Sequence, residues 1–369
     1  MSDVRSFVPE WVRSLTPYSP GKPIEELERE LGICGSIKLA SNENPLGPSP
    51  RALAALAAAL ADVHRYPDGS SFHLTQRLAA RHGVAPEDIL VGNGSNELLE
   101  LVVRSFLRAG DEAVMADQAF VIYRLIVQAA GGVPRSVPLR DFTHDLPAMV
   151  RAVGPRTRVV FLGNPNNPTG TIFRRPAWEA FLAAMPDHMV VVADDAYAEY
   201  VDDDDYPDTI HVRGGGKVPV VTLRTFSKLY GLAGLRVGYA VAPPAVIDVL
   251  GRVRQPFSVN SLAQVAACAA LDDDDHVRRT LATNRAGMAY LTTAFDRLGL
   301  AHVPSAANFI LVHVGDGGAV YQALLRRGVI VRPMDVYGFP AHVRVTVGLP
   351  EENARFVDTL GQVLAGTRR

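Results

Sequence analysis

The sequence has few cysteines, no long apolar run and no excess of either charge. Only Cys34 and Cys268 occur among 369 residues, too few and too far apart for a disulfide framework or a cysteine-ligated zinc site, and neither has an assigned role. Lysine and arginine total 37 against 39 aspartate and glutamate residues, a net charge of -2. This balance argues against a strongly basic nucleic-acid-binding protein.

Targeting and membrane signals are also missing. The N-terminus reads MSDVRSFVPEW and lacks the basic start and apolar core of a signal peptide. The longest stretch rich in alanine and leucine, residues 52–61, is too short to cross a bilayer and is bordered by Arg51 and Asp62. We therefore expect a soluble cytoplasmic protein.

Strand and helix patterns alternate through the first two thirds of the chain. Near-continuous apolar, β-branched runs are typical of strands that are buried on both faces. They predict strands at residues 88–91, 112–115, 133–137, 158–162, 189–193, 220–223 and 236–241, with helices between several of them at 96–107, 119–130 and 176–184. This alternation favours an α/β fold with a mostly parallel sheet sandwiched by helices.

The pattern changes after residue 243. Helices are predicted at about 245–254 and at 261–298, the latter broken near 272–275, followed by strands at 309–314, 329–331 and 343–347 and a final helix at 351–364. We predict an N-terminal arm (1–49) that joins the small domain, a large domain (50–243) and a small α+β domain (244–369). The acidic runs 202–205 and 272–275 fit no EF-hand spacing and are interpreted as solvated surface.

The segment from Arg224 to Lys228 carries the strongest chemical signal. A lysine that forms a Schiff base needs a lowered pKa, and positive charge nearby provides it. The hydroxyls of Thr225 and Ser227, with the guanidinium of Arg236 eight residues after the lysine, suit a phosphate group. A carbonyl cofactor that carries a phosphate is pyridoxal phosphate (PLP), and this segment predicts a site for it.

Three further segments follow predicted strands. Residues 92–97 form a glycine-rich turn into a helix, which presents backbone N–H groups to anions. Glu97 stands where a dinucleotide fingerprint needs its third glycine, which argues against a nicotinamide dehydrogenase. Either Asp194 or Asp195 is placed to pair with the cofactor's pyridine nitrogen, and Tyr197 with its ring oxygen. Residues 163–170 form a stiff turn with three asparagine amides.

The segments and their order along the chain resemble those of the PLP-dependent fold-type I aminotransferases, and the resemblance covers nearly the whole chain. Within that superfamily the chain resembles the histidinol-phosphate aminotransferases most. The matching stretches are residues 17–23, 38–50, 65–69, 92–97, 164–170, 224–228 and 344–348. Two positions depart from the family pattern. Asp195 replaces a glutamate, and Gln118-Ala119 replaces a Pro-Thr pair before Phe120.

The resemblance implies a role for each matching residue. Lys228 would bind the cofactor and move the reacting proton, and Asp194 would pair with the pyridine nitrogen. Asn167 and Tyr197 would hold the ring oxygen, and Phe120 would stack on the ring. The remaining implied contacts are the phosphate site (Ser95, Asn96, Thr225, Ser227, Arg236), a contact from the neighbouring subunit of a homodimer (Tyr66), and the substrate site (Arg344, with Tyr18, Gly47, Asn308 and Arg332 as weaker candidates).

The activity implied by the resemblance is transamination in two half-reactions. The expected amino donor is histidinol phosphate and the expected acceptor is 2-oxoglutarate, as in histidine biosynthesis. Aromatic amino acid aminotransferases share these motifs and are the main alternative, and a lyase similar to threonine-phosphate decarboxylase is another. A non-catalytic PLP-binding regulator is disfavoured, because the resemblance begins near Leu15 and leaves no room for a DNA-binding module.

Overall fold

The computed structural model describes residues 4–212 and 217–367. Its α-helices in these residues are α1 (Glu10–Arg13), α2 (Ile24–Leu31), α3 (Pro50–Ala59), α4 (Phe72–His82), α5 (Gly94–Phe106), α6 (Ile122–Ala129), α7 (Leu146–Ala152), α8 (Arg175–Ala184), α9 (Pro244–Val253), α10 (Ser261–Leu271), α11 (Asp274–Leu298), α12 (Gly317–Leu325) and α13 (Pro350–Thr367). Its strands are β1 (Ile37–Lys38), β2 (Ile89–Gly92), β3 (Glu112–Ala116), β4 (Val133–Val137), β5 (Thr157–Gly163), β6 (Val190–Asp194), β7 (Val220–Thr225), β8 (Gly238–Val241), β9 (His302–Val303), β10 (Phe309–His313), β11 (Val329–Ile330), β12 (Arg332–Pro333) and β13 (His342–Thr346).

Seven strands form one large sheet in the order β2-β8-β7-β6-β5-β3-β4. The strands from β7 to β4 pair in parallel, and β8 runs antiparallel to both of its neighbours. Helices cover both faces, because strands that are apolar on both sides need cover on both sides. The predicted mostly parallel sheet sandwiched by helices is confirmed.

Side chains along β6 point alternately to the two faces of the large sheet and pack in different core clusters. Val192 packs in a core cluster with Leu98 and Tyr123, whereas its neighbour Val191 packs on the other face with Trp178. Successive side chains of a strand point to opposite faces. The same alternation decides where the carboxylates at the end of this strand point.

Most predicted elements agree with the structure to within a few residues, but two starts were wrong. The strand predicted from residue 236 begins at Gly238, because Arg236 has a φ of 58° that no strand residue adopts. The helix predicted from residue 119 begins at Ile122, after a turn. Helix α12 was missed, since its first residues, Gly317 and Gly318, are typical of a loop.

The C-terminal part contains an antiparallel sheet in the order β12-β13-β10-β9, and β1 pairs with β11. Its core joins residues of α11 and α13, such as Phe295 and Phe356, to Ile310 of β10. Helices α9 and α10 pack against α5 and α3 of the larger unit. The division of the chain at residue 243 stays a prediction.

The acidic runs are only partly solvated surface. Asp202 and Asp203 form ion pairs with Arg285 and Arg174, and the buried Asp273 caps α11 by accepting a hydrogen bond from the His276 N–H. A carboxylate at this position stabilises the start of a helix. None of the helices in the described ranges has the length and apolar character needed to cross a membrane.

Candidate active site

A cavity of about 270 Å³ opens beyond the carboxyl ends of β5, β6 and β7, which is where open α/β sheets bind ligands. Its walls are formed by the loops that follow these strands, by the first turn of α5 and by two strands of the smaller sheet. The predicted site residues that line it are Tyr18, Ser95, Asn96, Phe120, Asn167, Asp194, Tyr197, Thr225, Ser227, Lys228, Arg236, Arg332 and Arg344.

Three predicted residues lie outside this cavity. The side chain of Tyr66 is 84% exposed and stacks on Phe257. Gly47 lies behind the loop that carries the lysine: its carbonyl accepts a hydrogen bond from His276 Nε2. Asn308 is buried and donates to the carbonyl of Asn42. The geometry therefore gives no support for a substrate contact by Gly47 or Asn308 in this chain.

Lys228 follows β7 and points into the cavity, where its Nζ donates to the Ser41 carbonyl at 3.0 Å. Burial lowers the pKa of its ammonium group to about 7. The guanidinium groups of Arg344 and Arg236 act in the same direction, while Glu43 and Asp194 oppose them. A lysine with this pKa is largely neutral just above neutral pH and is a competent nucleophile toward an aldehyde.

We expect this pKa to be visible in chemical labelling of the cofactor-free protein. The labelling rate of Lys228 by a reagent for neutral amines should rise with pH and level off above about pH 8, because most of the amine is then unprotonated. Lys22 is the internal control, since Glu30 and Glu26 raise its pKa and its rate should keep rising. Peptide mapping measures both lysines in one sample. Parallel profiles for the two lysines would contradict a lowered pKa at Lys228.

An anion cradle forms between α5 and the loop after β7. Thr225 Oγ1 donates to Ser227 Oγ at 3.0 Å, and Arg236 Nη1 donates to the same oxygen at 3.3 Å. The Arg236 guanidinium lies so close to Gly94 that a Cβ there would be 2.5 Å from its Nη2. Arg236 pairs with no carboxylate of the described residues, and it lines the same cavity as Ser95 and Asn96 in the first turn of α5. Positive charge and a helix start are both favourable for an anion.

The structure resolves which aspartate lines the cavity. Asp194, on the Val192 face of β6, accepts a hydrogen bond from Tyr123 OH at 2.7 Å, while its Oδ1 is buried without a partner among the described residues. Asp195 points the other way, accepts from Thr209 Oγ1 at 2.6 Å and lies 3.4 Å from Arg224. Burial raises the pKa of both carboxyl groups, that of Asp195 to about 7.

Two arginines lie side by side on the opposite wall. Arg332 and Arg344 are cross-strand partners in β12 and β13, and both are buried. Arg344 donates to Asn167 Oδ1 and to the Ala40 carbonyl, and Arg332 donates to the Ser19 carbonyl at 2.7 Å. Neither forms an ion pair with a carboxylate in the described residues. Buried guanidinium groups without a counter-ion are a site for an anionic ligand.

No role was predicted for Tyr123, Ser41 or Asn42, although all three line the cavity. Tyr123 lies 71 positions before Asp194, whose carboxylate accepts its hydrogen bond, so the packing of α6 against the large sheet is needed to bring them together. Ser41 and Asn42 belong to the stretch 38–50 that matches the family, and this match was the sequence feature that could have identified them as site residues.

Residues 35–360 match the family model described as aminotransferase class I and II. The match spans most of the chain, so the chain belongs to the class I and II aminotransferases. The family resemblance and the assignment as an aminotransferase enzyme are confirmed.

Relatives within this class are similar over nearly their full length. Histidinol-phosphate aminotransferase 2 of Pseudomonas aeruginosa is 53% identical, covering 99% of this chain and 100% of the relative. Histidinol-phosphate aminotransferase 1 of Nitrosococcus oceani is 52% identical, covering 96% and 95%. The crystal structure of histidinol-phosphate aminotransferase from Sinorhizobium meliloti in complex with pyridoxal-5'-phosphate has a TM-score of 0.90 at 29% identity and covers 98% of both chains. The expected fold type is confirmed.

Proposed function

We propose that the protein is a PLP-dependent aminotransferase that converts histidinol phosphate and 2-oxoglutarate to imidazole-acetol phosphate and glutamate. The names of its relatives support the substrate, and the PLP complex of the Sinorhizobium meliloti protein supports the cofactor. The reaction belongs to histidine biosynthesis and uses small soluble metabolites, consistent with a cytoplasmic enzyme.

The residues of the cavity fit PLP. The unpartnered Oδ1 of Asp194 is an acceptor for a pyridinium N–H, and the Arg236 cradle suits the cofactor's phosphate. Phe120 lies beside these groups, where it would stack on the ring. Asn167, which accepts a hydrogen bond from Arg344, and Tyr197 line the same cavity and would hold the ring oxygen. When bound, PLP supplies a carbonyl for the amine and an electron-withdrawing ring that acidifies the donor's Cα–H.

Lys228 has two tasks in this proposal. Its neutral amine would hold the cofactor through the aldehyde carbon in the resting enzyme and would be free while the donor is bound. The free amine would then move the proton from the donor's Cα to the cofactor's aldehyde carbon. The lowered pKa suits both tasks, because a lysine with an ordinary pKa would be protonated at neutral pH.

The pair of buried arginines carries the choice of substrate. Histidinol phosphate has a phosphate dianion where an α-amino acid has one carboxylate, and 2-oxoglutarate has two carboxylates. Each substrate therefore carries about two negative charges into the site of Arg332 and Arg344. These two arginines lack carboxylate partners in the described residues. An aromatic amino acid brings one negative charge and would leave one of these guanidinium groups buried and unpaired, which is unfavourable.

A spectrally monitored half-reaction tests the proposed donor. Histidinol phosphate, phenylalanine, tyrosine and threonine phosphate are mixed separately with the loaded enzyme, and the change in cofactor absorbance is followed without a keto acid. We expect histidinol phosphate to react faster than phenylalanine by about 100-fold or more, since one buried charge pair contributes a few kcal/mol. A faster reaction with phenylalanine would favour an aromatic aminotransferase, and carbon dioxide release from threonine phosphate would favour a lyase.

The proposed enzyme is a homodimer in which Tyr66 reaches the partner's site. Large apolar side chains are exposed between residues 53 and 72, and this region is joined to Phe257 by its contact with Tyr66. The exposed side chains are Leu53, Leu60, Val63, Tyr66, Phe72 and Phe257. An exposed apolar region of this kind marks a protein interface, and a second copy of the chain is the proposed occupant.

A charged substitution in this region should separate the subunits. We expect Leu60→Glu to shift the protein from dimer to monomer in analytical ultracentrifugation and to weaken PLP binding, because each site would lose the partner's Tyr66. Val336→Glu, at an equally exposed apolar position elsewhere, is the matched control and should remain dimeric. A monomeric unaltered protein that binds PLP fully would contradict the proposal.

A further inference from the structure

Asn42 connects three parts of the molecule at the edge of the cavity. It is 1% exposed and has a left-handed backbone with a φ of 56°. Asparagine adopts this conformation more readily than most residues. Its N–H donates to Thr346 Oγ1 at 2.9 Å, its Oδ1 accepts from the same hydroxyl at 3.1 Å, and its carbonyl accepts from Asn308 at 3.1 Å. Its Nδ2 donates to Tyr197 OH at 2.7 Å.

The Tyr197 hydroxyl can therefore donate its O–H to a ligand. Its oxygen accepts from Asn42, and the hydroxyl donates to no group among the described residues. Burial raises the pKa of Tyr197 to about 12, with Arg344 and the hydrogen bond from Asn42 opposing this and Asp194 and Tyr337 adding to it. The phenol is therefore protonated at neutral pH and presents its O–H to the cavity that it lines.

We propose that Asn42 and Thr346 are positioning residues that aim the Tyr197 hydroxyl proton at the ring oxygen of the cofactor. The inference rests on the proposed function, since it requires PLP in the cavity. Thr346 holds the Asn42 amide in the orientation that directs its N–H groups to Tyr197. Thr346 lies two residues after Arg344 on β13, so one strand supports both the anion site and the orientation of the phenol.

This arrangement has a measurable consequence for the linkage between Lys228 and the cofactor. While the linkage nitrogen is protonated, it shares the negative charge of the neighbouring ring oxygen. When that proton leaves, donation from the Tyr197 hydroxyl, together with Asn167, would stabilise the oxygen's charge, so the Tyr197 hydrogen bond would lower the pKa of the linkage. The charged groups that face Lys228 are Arg344, Glu43, Arg236 and Asp194, and the variants below keep all of them.

The test is a pH titration of the cofactor absorbance in the loaded enzyme. Asn42→Asp places a carboxylate beside the phenol, and this carboxylate accepts a hydrogen bond from the Tyr197 O–H and so turns the O–H away from the ring. We expect the pKa of the linkage to rise by about one unit. Thr346→Val frees the amide to rotate and should give a smaller rise, whereas Thr346→Ser keeps the hydroxyl and should leave the value unchanged.

A double-mutant cycle separates positioning from the added charge of Asn42→Asp. In a Tyr197→Phe background the rise caused by Asn42→Asp should largely disappear, because the proton that it redirects is gone. The same rise in both backgrounds, or no change in Asn42→Asp and Thr346→Val, would overturn the inference while leaving PLP binding intact. An unaltered protein without a titratable cofactor absorbance would instead overturn the proposed function.

Discussion

Replacing Lys228 with alanine is expected to abolish transamination. The variant loses the amine that would bind the aldehyde, and the same amine is the group proposed to carry the proton between the two carbons. Proton transfer by a positioned base contributes about 10²- to 10⁴-fold, and loss of the covalent step adds to this. We therefore expect turnover to fall by at least about 10⁴-fold, together with loss of the pH-sensitive absorbance of the linkage.

The small number of lysines makes this prediction easy to check. The chain contains four: Lys22, Lys38, Lys217 and Lys228. Borohydride reduction of the loaded protein followed by peptide mapping should place the cofactor on Lys228 and leave the other three unlabelled. Lys22→Ala is the matched control, because this lysine is held by Glu26 and Glu30 outside the cavity. Full turnover in Lys228→Ala would disprove the PLP assignment.

The parts of the site that are contiguous in sequence were predictable. Thr225 ends β7, Ser227 and Lys228 lie in the loop that follows, and the requirement for a nucleophile beside phosphate donors identifies the three together. Arg236 lies beside Ser227, although the strand predicted from residue 236 begins at Gly238. Apolar runs likewise predicted the large sheet, because strands that are buried on both faces leave a clear pattern.

Contacts between distant segments were not predictable in the same way. Sequence spacing left Asp194 and Asp195 equivalent, and the register of β6 in the sheet decides which one faces α6 and the cavity. The role of Asn42 depends on a left-handed turn that brings it to Tyr197 and to Thr346, which lies 304 positions later. Gly47 lies in a matched stretch, yet it packs against the back of the Lys228 loop, where a Cβ on Gly231 would be 2.2 Å from its carbonyl oxygen.

The second large effect is expected from Asp194→Asn. The amide keeps the size of the side chain and an acceptor for Tyr123, but it removes the negative charge that favours a protonated pyridine nitrogen. An opposite charge in hydrogen-bonding contact shifts a pKa by about 1–3 units, so the protonated fraction of the ring falls by up to about 1000-fold. We expect kcat to fall by about 10²- to 10³-fold and the affinity for PLP to weaken.

Asp195→Asn is the control for this prediction, because it makes the same change one residue away on the opposite face of β6. Its carboxylate pairs with Arg224 and accepts from Thr209, so its loss leaves a buried guanidinium with one fewer counter-ion and should lower the unfolding temperature. Its affinity for PLP, measured by absorbance titration, should remain close to that of the unaltered protein. If Asp195→Asn lost PLP affinity as strongly as Asp194→Asn, the charge would act through the fold rather than through the ring nitrogen, and the assignment of Asp194 would fail.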